Sequence, residues 1–579
     1  MSITEGDALF GSGATAYTAN NLTRESGDVK VADRRTRVPY FWSTRGFSAL
    51  GVGEEEWVLR WRRLRKDGYG RSGVVWEGVR DLYLSVAATM DDSTQALFNL
   101  TGFPPVPPRY VFGFMASRWG WTNVTQVVEQ FAGENELGEA FPLDSVVLDF
   151  EWYTGKSDYE MSSYGEEGFL DFEWGDGVDV NLEWMREREV KVLGIRKPRL
   201  GNMNLLNFAR DKGWLVPAEI DGYAGRTLNF SIAAVREWYA EKIKAVLESG
   251  IDAFWNDEAE QSMEQFYWMN VAQRQAHAIV HPSQRFFSLN RAFSIGFARL
   301  GTAVWTGDVA ASYSNLRRTP GMNLAWGLAG MPFVASDTGG FKYTPSPHLL
   351  TRWMQVSALS PIMRIHSAYD FQPHFPFLYP PLYAKAMRKT LSLRYQLLPL
   401  LYSLAHDLSI TGRLLVRPLF AEFPDAPKHL TTQWMLGPIM AAPVLDDSDE
   451  VAILLPGSGV VWYQFNSTTT YVSPTTLHQH VPIDHIPLFV RSPAIVPLAP
   501  PSLLSTSHLP GGPLHLQIYG GGDTTFTLTE DDGISTSTSS HKTTVFTWND
   551  TTNTLTWQSS TPTHTTPTLF QDLSISIFR

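Results

Sequence analysis

Between Tyr110 and about Ile410 the chain repeats one pattern eight times: a short apolar run, then a longer stretch with helical spacing. The runs are Tyr110–Met115, Ser145–Phe150, Val190–Ile195, Ala253–Trp255, Arg285–Leu289, Ala303–Thr306, Pro332–Ser336 and Ile362–Ile365. Ala233–Glu248 and Glu264–Val280 are two of the helix-like stretches between them. Runs of this kind suit strands of a parallel sheet buried on both faces. Eight strand–helix units in about 300 residues are what a (β/α)8 TIM barrel needs. A doubly wound open sheet would carry a phosphate-binding Gly turn after its first strand. The SRWGW that follows Met115 lacks the G-x-G-x-x-G spacing.

The flanks read differently. At 579 residues the chain needs several domains. Residues 1–106 read as β, through Val38–Trp42, Phe47–Val52, Trp57–Trp61 and Val79–Val86. The Pro-rich Phe103–Arg109 reads as a rigid connector, so the barrel is expected over 107–410. Beyond it, Val416–Phe423, Ile439–Val444, Val451–Leu455 and Val460–Phe465 predict one β-sandwich over 411–498. Leu514–Tyr519, Thr524–Thr529, Thr544–Trp548 and Thr554–Trp557 predict a second over 499–579. Its Ser/Thr-rich tail is read as strands because Phe526, Leu528, Val545, Phe546 and Trp548 recur at near period-2 spacing.

In such a barrel the chemistry sits at the carboxyl ends of the strands. The run Ile251–Trp255 stops in Asp257, Glu258 and Glu260. Acids opening a helix, where they offset its macrodipole, would leave the same trace. The other strand ends supply more polar groups. They are Asp149 and Glu151, Lys197 and Arg199, Arg291, Trp305 and Asp308, Asp337, and Arg364 and His366. Carboxylates, cations and Trp converging on one mouth suit a neutral polyol, whose hydroxyls need polar partners and whose ring faces need aromatic ones.

Composition removes several other classes. There are no cysteines, which excludes disulfides, thiolate metal sites and Cys nucleophiles. A net charge of −12 argues against a nucleic-acid partner. No run of 18 apolar residues predicts a membrane span, and MSITEGDALFGSG lacks the pattern of a signal peptide. Six N-x-S/T triplets, at Asn21, Asn99, Asn123, Asn229, Asn466 and Asn549, carry little weight in a Thr-rich chain.

Two separated acids, Asp257 and Asp308, fit glycosidic cleavage, one attacking the anomeric carbon and the other protonating the leaving oxygen. A divalent metal held by Asp, Glu and His is the alternative chemistry. No H-x-H or H-E-x-x-H spacing stands near these acids.

Several segments resemble glycoside hydrolase family 31, the α-glucosidase family with retaining chemistry. FWNDEAE is similar to its W-x-D-M-N-E segment and WTGD to its W-x-G-D-N segment. Gly327–Phe341 and Arg352–Ser367 resemble two more of its barrel segments. Past the barrel, Val416–Pro424, Gln433–Leu445, Val481–Leu498 and Leu528–Gly533 continue the likeness. The resemblance implies Asp257 as nucleophile and Asp308 as acid/base, with no cofactor and no metal. It also implies a subsite lined by Asp149, Arg291, Asp337, Arg364 and His366, with Trp255, Trp305 and Phe341 around it. The expected activity is exo-hydrolysis of a small α-glycoside, glucosidase-like. Galactosides, N-acetylgalactosaminides, xylosides, sulfoquinovosides, transglycosylation and a non-catalytic sugar-binding role stay open, and oligomeric state is not readable.

The departures from the pattern are charged. Glu258 stands where the family has Met, Glu151 where glucosidases carry Asp, and Lys197 and Arg199 are more basic than usual there. Val309 replaces Asn after the acid/base, and the N-terminal β region is shorter than the family's sandwich. Lys197, Arg199 and Glu258 are expected to pair with one another, or to read a substituted or anionic sugar.

Overall fold

A computed structural model describes residues 9–11, 36–38, 40–64, 71–120, 123–149, 152, 171–175, 178–221, 225–258, 263–537, 541–560 and 569–579. Its centre is a parallel barrel of eight strands. These are β1 (Phe114–Arg118), β2 (Ser145–Leu148), β3 (Lys191–Arg196), β4 (Ala253–Asn256), β5 (Ser288–Asn290), β6 (Thr302–Trp305), β7 (Val334–Ala335) and β8 (Met363–Arg364). Each pairs with its sequence neighbour except β7 and β8, and β8 returns to β1. Two backbone hydrogen bonds complete the ring: Ile362 N–H donates to Val334 O at 3.2 Å, and Thr338 N–H donates to Arg364 O at 3.2 Å.

Local physics produces these elements. Ala233–Glu248 is a helix with the bounds that its spacing predicts. It buries Val235, Tyr239, Ala240, Ile243, Val246 and Leu247, one stripe at helical intervals. Strand β4 is buried at every position, as a strand packed on both faces must be. The first strand differs from its expected bounds. Arg109–Phe112, released from the Pro-rich connector, forms a 3-10 turn, and pairing starts only at Phe114.

The N-terminal flank is a four-stranded antiparallel sheet, whose long hairpin Phe47–Leu64 and Arg71–Val86 absorbs three of the expected short strands. Thr36–Arg37 pairs with Phe293–Ser294, just beyond β5. Behind the barrel lie a six-stranded sheet with a two-stranded companion, then two three-stranded sheets. The expected strand Val416–Phe423 ends at Pro418, and Leu419–Glu422 is helical instead. Proline has no N–H with which to continue the ladder. Ala494–Leu498, ahead of the expected boundary at 498, pairs with Leu514–Tyr519 in the last group of sheets. A buried knot ties this group to the barrel. Asp531 accepts from Arg285 at 2.5 Å and Tyr402 at 2.6 Å, with His406 Nε2 3.4 Å away. Among the described residues no helix is long and apolar enough to cross a membrane.

Candidate active site

The carboxyl ends of β4, β5 and β6 deliver three charges to one point. Arg291, one residue past β5, reaches both neighbouring acids. Its Nη1 donates to Asp257 Oδ1 and its Nη2 to Asp308 Oδ2, each at 2.9 Å. Asp257 is nearly buried, and its own N–H is fixed to Arg196 O at 2.8 Å. Burial pushes its carboxyl above the ordinary range. Glu258 and Asp308 add to that, while Arg291 and Lys197 oppose it.

The floor of the site is a second ion pair. Arg364 Nη1 donates to Asp337 Oδ1 at 2.8 Å, and both side chains are sealed from solvent. Burial pushes Asp337 up to about 8 against the pull of Arg364. Arg364 Nη2 also donates to Ser117 Oγ at 3.1 Å, and Ser117 Oγ meets His366 Nδ1 at 2.7 Å. His366 Nε2 lies 3.9 Å from Asp149 Oδ2. Burial, with Arg364 beside it, holds His366 well below its usual range, so the ring is neutral. Among the described residues, the buried polar atoms left without a hydrogen-bond partner include Asp337 Oδ2, Trp255 Nε1 and Trp305 Nε1. Groups left in this way call for an explanation.

Aromatic rings frame these charges. Trp255 and Trp305 meet edge to face at 5.6 Å, and the Arg364 guanidinium lies 4.6 Å from the Trp255 ring centre. Phe341 stacks on His366 at 5.2 Å, and Trp119 lies parallel to Phe341 at 6.2 Å. The turn after β7 packs close. Gly340 has φ +93°, and a Cβ there would stand 2.6 Å from Ala311 Cα, so only glycine lets the Asp337 loop lie against the Asp308 loop.

At the rim of β3 and β4, Lys197 Nζ is 3.3 Å from Glu258 Oε2, and Arg199 contacts the same oxygen. Although burial alone would raise it, the two cations pull Glu258 down to about 2. Arg196, Lys197 and Arg199 line a cleft with Asp171, Phe172 and Tyr239.

Of the expected residues, Asp257, Arg291 and Asp308 form one contacting group, Asp149, Trp255, Trp305, Asp337, Phe341, Arg364 and His366 a second, and Lys197, Arg199 and Glu258 a third, all at or just beyond the carboxyl ends of barrel strands. Glu151 lies outside the described residues. Ser117, Arg118 and Trp119 were not singled out from the sequence, although they close the first apolar run as the acids close the others. Also missed was a buried amide cluster behind the acids. Asn256 Nδ2 donates to Asn290 Oδ1 and to Gln273 Oε1, each at 2.9 Å, and Asn270 Nδ2 donates to Asn290 Oδ1 at 2.8 Å. Asn256 and Asn290 directly precede Asp257 and Arg291. Among the described residues no group of three His, Cys, Asp or Glu is placed to hold a metal ion.

Residues 104–404 match the glycosyl hydrolases family 31 TIM-barrel domain, and residues 412–496 match that family's C-terminal domain. Neutral alpha-glucosidase AB of Sus scrofa is 28% identical over 471 residues, 72% of this chain and 48% of that protein. The probable glucan 1,3-alpha-glucosidase of Oryza sativa subsp. japonica is 29% identical over 479 residues, 74% of this chain and 50% of that protein. The chain thus spans about half the length of these relatives. Among solved structures, the GH31 alpha-xylosidase of Xanthomonas citri superposes with a TM-score of 0.80 at 17% identity. That match covers 99% of this chain and 83% of that one. The GH31 dextranase of Flavobacterium johnsoniae gives 0.80 at 20% identity, over 95% and 73%. At these identities the superpositions speak to fold.

Proposed function

This chain belongs to glycosyl hydrolases family 31, and from that premise we propose that it is a retaining, exo-acting α-glycosidase of α-glucosidase type. Asp257 attacks the anomeric carbon, the C–O bond to the leaving group breaks, and Asp308 gives its proton to the departing oxygen. Asp308 then takes a proton from water, whose oxygen displaces Asp257 and releases the free sugar. Positive charge on the ring in the transition state is offset by the surrounding carboxylates. The observation that carries this reading is the bridge from Arg291 to both acids, which holds them around one reacting centre.

The sugar ring sits over Asp337, Arg364 and His366, with Trp255, Trp305 and Phe341 around it. Its hydroxyls complete the unpaired Asp337 Oδ2 and the two indole N–H groups. Lys197 and Arg199 are turned onto Glu258, which favours a neutral sugar over an anionic one. The α-glucosidase name is carried by the curated relatives. The test is turnover of aryl α-glucoside, galactoside, xyloside, N-acetylgalactosaminide and sulfoquinovoside by purified protein, with Asp257→Ala as control. Release from the glucoside by the wild type alone is expected. Sulfoquinovoside preference would overturn the neutral-sugar assignment, and equal release by the variant would overturn the role of Asp257.

A further inference from the structure

Tyr343 adopts φ +70°, the left-handed region that bulky side chains rarely occupy, and its side chain is 60% exposed. An exposed aromatic held in costly backbone points to a function that needs it there. Its ring lies 5.6 Å from Phe371, which is half-buried.

Two loops carry this pair outward from the active site. One leaves β7 at Asp337 and the other leaves β8 at Arg364. They are joined near the floor by Ala368 N–H donating to Phe341 O at 3.0 Å, and farther out by Gln372 N–H donating to Thr344 Oγ1 at 3.2 Å. Tyr343 and Phe371 lie between those two ties. The second loop is also braced from β1. Arg118 donates to Tyr369 O and Phe371 O at 2.8 Å each, and Tyr369 packs edge to face on Trp119 at 4.5 Å. Aromatic surface therefore continues from His366 and Phe341 through Trp119 and Tyr369, and the same two loops lead on to the Tyr343–Phe371 pair.

We propose that Tyr343 and Phe371 form a stacking platform for a pyranose ring on the leaving-group side of the scissile bond. In an exo-acting enzyme the terminal sugar fills the closed end, so any substrate reaching this rim is the part that departs. The inference rests on the glycosidase reading of the site. It makes the protein selective for oligosaccharides over glycosides with short leaving groups.

The test compares kcat/KM for an α-linked trisaccharide with kcat/KM for the matching aryl α-glycoside. Tyr343→Ala, Tyr343→Gly and Phe371→Ala should each lower the trisaccharide-to-aryl ratio about fivefold, the worth of one ring-stacking contact. Tyr343→Gly relieves the backbone conformation and keeps the loop folded, so it separates binding from strain. An unchanged ratio, including equal losses on both substrates, would overturn the platform alone. A wild-type protein inactive on both substrates would remove the glycosidase reading, and the platform with it.

Discussion

Arg291 Nη1 meets Asp257 Oδ1 at 2.9 Å while the other arm of the same guanidinium holds Asp308. One planar cation thus fixes the distance between the two acids. A lysine ammonium is a point charge and cannot span both. Arg291→Lys should lower kcat/KM by about 10²–10³-fold, as expected when a reacting group is misplaced. Arg291 also opposes the upward push of burial on Asp257. Weakening it keeps Asp257 protonated to higher pH, so the acid limb of the pH–kcat/KM profile should move upward. A limb that stays in place would show that Arg291 does not set the charge on Asp257.

The rim cluster makes a stability prediction. Glu258 is pulled down to about 2 in the folded protein. Its contribution is therefore present in full above the unfolded carboxylate range, near 4.5, and is lost as pH falls toward 2. Discounted for partial exposure, it is about 2 kcal/mol at neutral pH. Glu258→Gln should lower the urea midpoint at pH 7, with a gap to wild type that closes between pH 4.5 and 2.5. A constant gap would mean that the charge is not what matters.

The site was legible in the sequence where strand ends and chemistry coincide. Asp257, Asp308 and Asp337 each follow an apolar run and Arg364 ends the last strand, and the barrel rule places them together. Ser117, Arg118 and Trp119 were hidden because the first strand begins four residues later than the apolar run suggests. Periodicity does not distinguish a buried 3-10 turn from a strand. Pairing in the hairpin shifts register between Gly53 and Val58, and the charged Glu54–Glu56 there made one continuous strand read as two. The Asn256–Asn290 pairing is tertiary: each amide could be noticed beside Asp257 or Arg291, but not their contact or the helix that joins it.

That contact should matter to stability and rate together. Asn290→Leu removes the acceptor that Asn256 and Asn270 share, leaving Asn256 Nδ2 to Gln273 Oε1 and Asn270 Nδ2 to Phe266 O. The cost is about 1–3 kcal/mol. Strands β4 and β5 would then separate where Asp257 and Arg291 leave them, so kcat should fall about tenfold or more in protein that still folds. Melting curves and initial rates on the same samples check both outcomes.

The knot at Asp531 predicts a larger loss without any effect on chemistry. Burial alone would push Asp531 up, but His406, Arg285 and Tyr402 hold it well below the usual range. Arg285→Met removes the main countercharge of a fully buried carboxylate, at a cost of about 3–5 kcal/mol. Denaturant unfolding should show the barrel and the last group of sheets losing stability together, with KM unchanged in the protein that remains folded.

The most direct measurement is covalent trapping. A fluorinated α-glycosyl fluoride slows breakdown of a glycosyl-enzyme, so intact-protein mass spectrometry followed by peptide mapping can find the intermediate. One added glycosyl mass on the peptide containing Asp257, absent from Asp257→Ala and lost again on prolonged incubation, is the predicted result. Turnover without any trapped mass, or a label on another carboxylate, would contradict the mechanism.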